Sequence, residues 1–120
     1  VGRLTDDGRW VSLSWPENGE FASTTFFVTD DVGVRLRIER TDRDLDRIAV
    51  MTDGIERLAL DLAGGVPHGP FFQGISEPVA TSLIAGRDGP LSRKLAQYLS
   101  SDAINTRTDD DKTLIVASRR

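Results

Sequence analysis

The 120-residue chain has no cysteine, which excludes disulfides and thiolate metal sites and leads us to expect a cytoplasmic setting. Histidine is nearly as scarce. His68 stands alone among glycines and prolines and is read as a surface or flap residue rather than a metal ligand. No G-x-S-x-G elbow favours a Ser-His-Asp catalytic set. No apolar run approaches the length of a membrane span and no signal peptide is visible, so no membrane partner is expected. Basic residues are too few and too dispersed for a nucleic-acid surface: 15 Lys and Arg stand against 19 Asp and Glu, a net charge of −4. Methionine occurs once, at Met51, and the chain begins at Val1, so further chain upstream is expected to belong to the same domain.

What is present describes one globular domain, with 38% hydrophobic and 28% charged residues. Its organising stretch is Arg47–Gly54, RIAVMTDG. Ile48, Ala49, Val50 and Met51 form a short apolar run, which predicts a strand buried on both faces. Asp53 emerges where that strand ends, and Gly54 permits the turn that follows.

Before this stretch, strands are expected at Trp10–Trp15, Thr24–Thr29 and Gly33–Glu39, from alternation and from β-branched and aromatic content. Asp7-Gly8, Pro16–Glu20 and Asp30-Asp31 provide turns, and Arg40–Arg47 reads as a solvated connection. After it the period changes. Ile55–Leu62 follows helical spacing, and Ala63–Gly74, with Phe71 and Phe72 inside it, reads as an irregular loop or flap. Ser76 is placed as the cap of a helix running to about Ala85 and burying Val79, Leu83 and Ile84. A further helix spans Leu91 to about Ser101, and Thr113–Ala117 is a last buried strand. Strands first, helices next and one strand last predict an α+β fold with helices laid on an antiparallel sheet.

The chemistry concentrates at two acidic turns. Asp53 follows one buried strand, and Asp109, Asp110 and Asp111 precede another. If those strands lie side by side and antiparallel, Asp53 and Asp110 converge. Facing carboxylates repel at neutral pH unless a cation or proton compensates, and a hard divalent ion such as Mg2+ or Mn2+ suits carboxylate and water ligands. The acidic run lacks the alternating ligands, central glycine and final glutamate of an EF-hand.

MTDGI, followed downstream by RTDDDKTLIV, resembles the C-terminal half of the metal-dependent Ser/Thr protein phosphatases of the 2C class. The resemblance implies an antiparallel β-sandwich flanked by helices, of which this chain is the C-terminal half, with a binuclear Mg2+/Mn2+ site at one end. It implies hydrolysis of phosphoserine or phosphothreonine in a phosphoprotein substrate by a metal-activated water. Asp53 and Asp110 match the metal ligands; Gly54 matches a close-packing position, and Asp111 stands where it would orient Asp110. The missing N-terminal half would bring an acidic segment, a second Asp-Gly and a phosphate-contacting arginine, so the isolated chain is expected to show little or no activity. Where the family often carries an acid four positions after the first Asp, this chain has Arg57, with Glu56 one earlier. The alternative reading is a catalytically inactive, phosphatase-like binding or regulatory module.

Overall fold

A computed structural model describes residues 1–16, 38 and 40–119. The strands expected at Thr24–Thr29 and, apart from Ile38, Gly33–Glu39 lie outside the described residues, as do the Asp30-Asp31 turn and the loop beyond Pro16. In chain order the described elements begin with β1 (Gly2–Leu4), β2 (Trp10–Val11) and β3 (Leu45–Met51). A 3-10 turn at Asp53–Ile55 then leads into α1 (Glu56–Ala59), β4 (Leu60–Asp61) and β5 (Val66–Pro67). Helices α2 (Gly69–Thr81), α3 (Gly89–Leu99) and α4 (Asp102–Asn105) precede the last strand, β6 (Leu114–Ser118).

The main sheet is antiparallel, in the order β2-β1-β3-β6. The expected pairing of the two apolar strands is present, with Ala49 opposite Val116 and Met51 opposite Leu114. Helix and antiparallel sheet are combined in one α+β structure. The core lies between one sheet face and the helices, where Ala49 and Leu114 meet Phe72 of α2, Ile55, Ala59 and Leu99. Phe72 is fully buried; its ring centroid lies 5.1 Å from that of Trp10 and 5.2 Å from that of Phe71, the latter edge-on. Burying a side chain of that size removes enough apolar surface to contribute about 2–3 kcal/mol. Among the described residues no helix is long and apolar enough to cross a membrane.

Several expectations need correction. β3 is not buried on both faces: Ala49 is buried, whereas Val50 is 59% exposed beside its partner Ile115 at 62%, with Ile48 also exposed. For the same reason β6 is covered on one side only. The helices pack on one face, and strand alternation turns these branched side chains to the other. The strand at Trp10–Trp15 shortens to Trp10–Val11.

The helix expected over Ile55–Leu62 ends at Ala59, because Leu60 and Asp61 pair antiparallel with Pro67 and Val66. Asp61 Oδ1 accepts the Gly64 N–H at 2.9 Å inside that tight connection, and Gly65 takes a positive φ of 66°.

The largest difference is α2. The stretch read as a loop is the first half of a helix that begins at Gly69, with Pro70 in its first turn, where a missing N–H costs nothing. Ser76 is therefore no cap. It is fully buried mid-helix, where its Oγ accepts a hydrogen bond from Arg47 Nη1 at 3.0 Å. The same nitrogen donates to Glu77 Oε2 at 2.8 Å and ties the helix to β3. Because α2 stops at Thr81, Leu83 and Ile84 lie beyond it and are exposed rather than buried. α3 is close to expectation, its N-terminus capped by Asp88, whose Oδ1 accepts the Leu91 N–H at 2.9 Å.

Candidate functional site

The two acidic turns leave the sheet at the same end. Beyond the Met51–Leu114 pair, the Thr52 N–H donates to the Thr113 carbonyl at 3.1 Å. The Thr113 N–H in turn donates to Thr52 Oγ1 at 3.0 Å. The Thr52 hydroxyl donates onward to the Asp111 carbonyl at 3.4 Å. Thr52 thus clasps the entry to β6 against the exit of β3. Sequence reasoning missed this role; the only signal for it is a threonine directly before Asp-Gly.

Gly54 sets how closely the turns approach. It is buried, and a Cβ placed on it would lie 2.1 Å from the Asp111 carbonyl oxygen and 2.9 Å from that carbonyl's carbon. Its φ is not in the left-handed region, so glycine is required here for space rather than for backbone freedom. Asp53 opens the 3-10 turn in front of Gly54, and Asp110 immediately precedes the carbonyl that rests on Gly54.

Asp53, Asp110 and Asp111 are all exposed. The Asp110 turn is internally braced: its Oδ1 accepts the Asp111 N–H at 2.8 Å, and its carbonyl accepts from Lys112 Nζ at 3.2 Å. Asp53 also lines a cavity of about 450 Å³ with Trp15, Ile48, Val50, Thr52 and Glu56. His68 is exposed and stands ahead of α2, its N–H donating to the Ala59 carbonyl at 2.8 Å.

Chemically, the sheet end offers carboxylate oxygens on two stiffly joined turns, a donor set that suits a hard cation and no soft one. Among the described residues, no group of three or more His, Asp or Glu side chains stands close enough to hold a metal ion by itself.

Compared with known families, residues 2–100 match protein phosphatase 2C. The chain belongs to the protein phosphatase 2C family. It is also 43% identical over 118 residues to serine/threonine-protein phosphatase 3 of Escherichia coli (strain K12), an alignment covering 97% of this chain and 46% of that relative. The family match takes in the Asp53-Gly54 turn and stops short of Asp110, whereas the longer alignment reaches across both acidic turns. The chain therefore spans about half the length of this relative. No solved structure matches significantly.

Proposed function

We propose that this chain is the C-terminal half of a phosphatase 2C-like domain that hydrolyses phosphoserine and phosphothreonine in proteins by a metal-activated water. The observation that carries the reading is the closure of the two acidic turns over Gly54, which leaves no room for a side chain between them. Asp53 and Asp110 would hold Mg2+ or Mn2+, directly or through its waters. Asp111, whose N–H fixes one Asp110 oxygen, would orient that carboxylate. When bound, such a metal pair supplies a low-pKa water and positive charge for the phosphoryl oxygens.

The chain's own residues do the positioning. Thr52 and Gly54 fix the spacing of the turns, and the Lys112 ammonium on the Asp110 carbonyl offsets part of the local negative charge. The bare strip of Ile48, Val50 and Ile115 supports the finer architecture: a second sheet packed there would complete a β-sandwich. With a net charge of −4, the chain suits a protein substrate in the cytoplasm better than nucleic acid.

Full-length protein is expected to hydrolyse a phosphothreonine peptide in a Mn2+-dependent manner. The variant Asp110→Ala should lose most of that turnover and bind Mn2+ more weakly in calorimetry. Residues 1–120 alone should show little or no turnover. Metal-independent hydrolysis, or full activity in Asp110→Ala, would overturn the reading. Arg57, standing where the family often has an acid, favours the second reading of an inactive binding module. Absence of turnover in full-length protein that still binds phosphopeptide would establish that module instead.

A further inference from the structure

The connection between α2 and α3, residues 82–88, plays no part in the acidic site. It nonetheless carries the most exposed large apolar side chain among the described residues, Leu83 at 94%, with Ile84 exposed beside it. These side chains are held outward by an ordered backbone. Ser82 Oγ donates to Asp88 Oδ2 at 2.7 Å and accepts the Ile84 N–H at 3.1 Å. Asp88 meanwhile caps α3 through the Leu91 N–H. The clamp closes the connection at both ends, and Gly86 turns the chain between them with φ 76°.

Around this apolar tip the charge is positive. Arg87, Arg93 and Lys94 are all exposed, and the Arg93 guanidinium folds back over the first turn of α3, 3.6 Å from where a Gly89 Cβ would stand. The nearby acid, Asp88, is already engaged with Leu91 and Ser82. In a chain of net charge −4 this is a locally cationic surface with an apolar centre.

We propose that residues 82–94 form a docking surface for an acidic peptide segment bearing apolar side chains. Leu83 and Ile84 make the apolar contacts, and Arg87, Arg93 and Lys94 pair with the carboxylates. Charge complementarity selects an acidic partner, and the preset outward conformation lowers the ordering cost of binding. A peptide is favoured over an anionic membrane because a bilayer meets the net negative charge of the whole molecule, whereas a peptide meets the patch within a Debye length of about 8–10 Å. That the segment belongs to a phosphoprotein substrate rests on the phosphatase reading; the docking itself does not.

The test uses full-length protein and a fluorescein-labelled peptide rich in glutamate with spaced leucines, read by fluorescence anisotropy. The paired variants Leu83→Ser/Ile84→Ser and Arg87→Glu/Arg93→Glu change exposed side chains and leave the Ser82–Asp88 clamp intact, and circular dichroism checks their folding. Each pair should weaken binding by about tenfold, the loss expected when a single anchoring contact is removed. Binding should fall with added salt, while hydrolysis of p-nitrophenyl phosphate stays unchanged. Equal affinity in wild type and both variants would overturn the proposal. So would binding to phosphatidylserine vesicles but not to the peptide, or a wild-type dimer that ignores the peptide and dissociates on Leu83→Ser/Ile84→Ser. Peptide binding that survives in protein without any phosphatase turnover would retain the docking surface and discard the substrate assignment.

Discussion

Replacing Gly54 by alanine adds one methyl group at the point where the two acidic turns touch. That methyl would sit 2.1 Å from the Asp111 carbonyl oxygen, so the carbonyl must retreat by about 1.3 Å to reach ordinary contact. It is not free to do so. The Thr52–Thr113 pair of hydrogen bonds, at 3.1 and 3.0 Å, anchors the same segment to β3. Overpacking costs about 1–3 kcal/mol and each strained hydrogen bond adds up to about 1, so Gly54→Ala should destabilise by about 3 kcal/mol. Urea unfolding of wild type and variant measures this. Gly74→Ala is the matched control: a methyl there meets open space inside α2, so a gain of about 0.5–1 kcal/mol is expected from helix propensity. If Gly54→Ala unfolds within about 0.5 kcal/mol of wild type, the turns are not in the contact described and the site geometry built on it fails.

Phe72→Ala empties the centre of the helix–sheet core and should cost about 3–5 kcal/mol in urea unfolding, visible also as loss of near-UV dichroism from Trp10. Arg47→Ala removes both bonds from β3 to α2 and should cost about 2 kcal/mol, since the Arg47 side chain is only 11% exposed. Glu77→Gln, at the half-exposed end of the same ion pair, should cost under about 1 kcal/mol. The Asp88 carboxyl is held below the usual carboxylate range, first by the Leu91 N–H and then by the Ser82 hydroxyl, with Arg93 and Lys94 adding to the effect. Its contribution to stability is therefore present above about pH 4 and lost as pH falls through the lowered value. Asp88→Asn should melt below wild type at neutral pH, and the two should converge in thermal melts taken well below pH 4.

The sheet pair β3 and β6 was legible because RIAVM and TLIVA are compact apolar runs bounded by polar turns, and period-2 elements announce themselves that way. The convergence of their ends on Gly54 followed from antiparallel order alone. What could not be read was how many faces would be covered: Ile48 and Val50 look identical to Ala49 in composition, and only the placement of α2 separates them. α2 itself was hidden by Gly69, Gly74 and Pro78, residues that normally punctuate loops. Its signal was Pro70 in the first turn with Phe71, Ile75 and Val79 four apart. The buried Ser76 depends on an arginine 29 residues away, a long-range partner that local pattern does not reveal. At the site, Asp53 and Asp110 stand out as acids at strand ends, whereas the clasp made by Thr52 needs the third dimension.

The strand register between β3 and β6 has a consequence for assembly. Residues more than 60 positions apart must be paired in one alignment before the two acidic turns meet over Gly54. A slip of β6 by a single residue would turn Leu114 away from the core and shift the Asp111 carbonyl off Gly54 in the same movement. Folding errors in this domain are thus also errors at the candidate site, and a molecule that has found its correct hydrophobic alignment has, by that fact, brought its two acidic turns together.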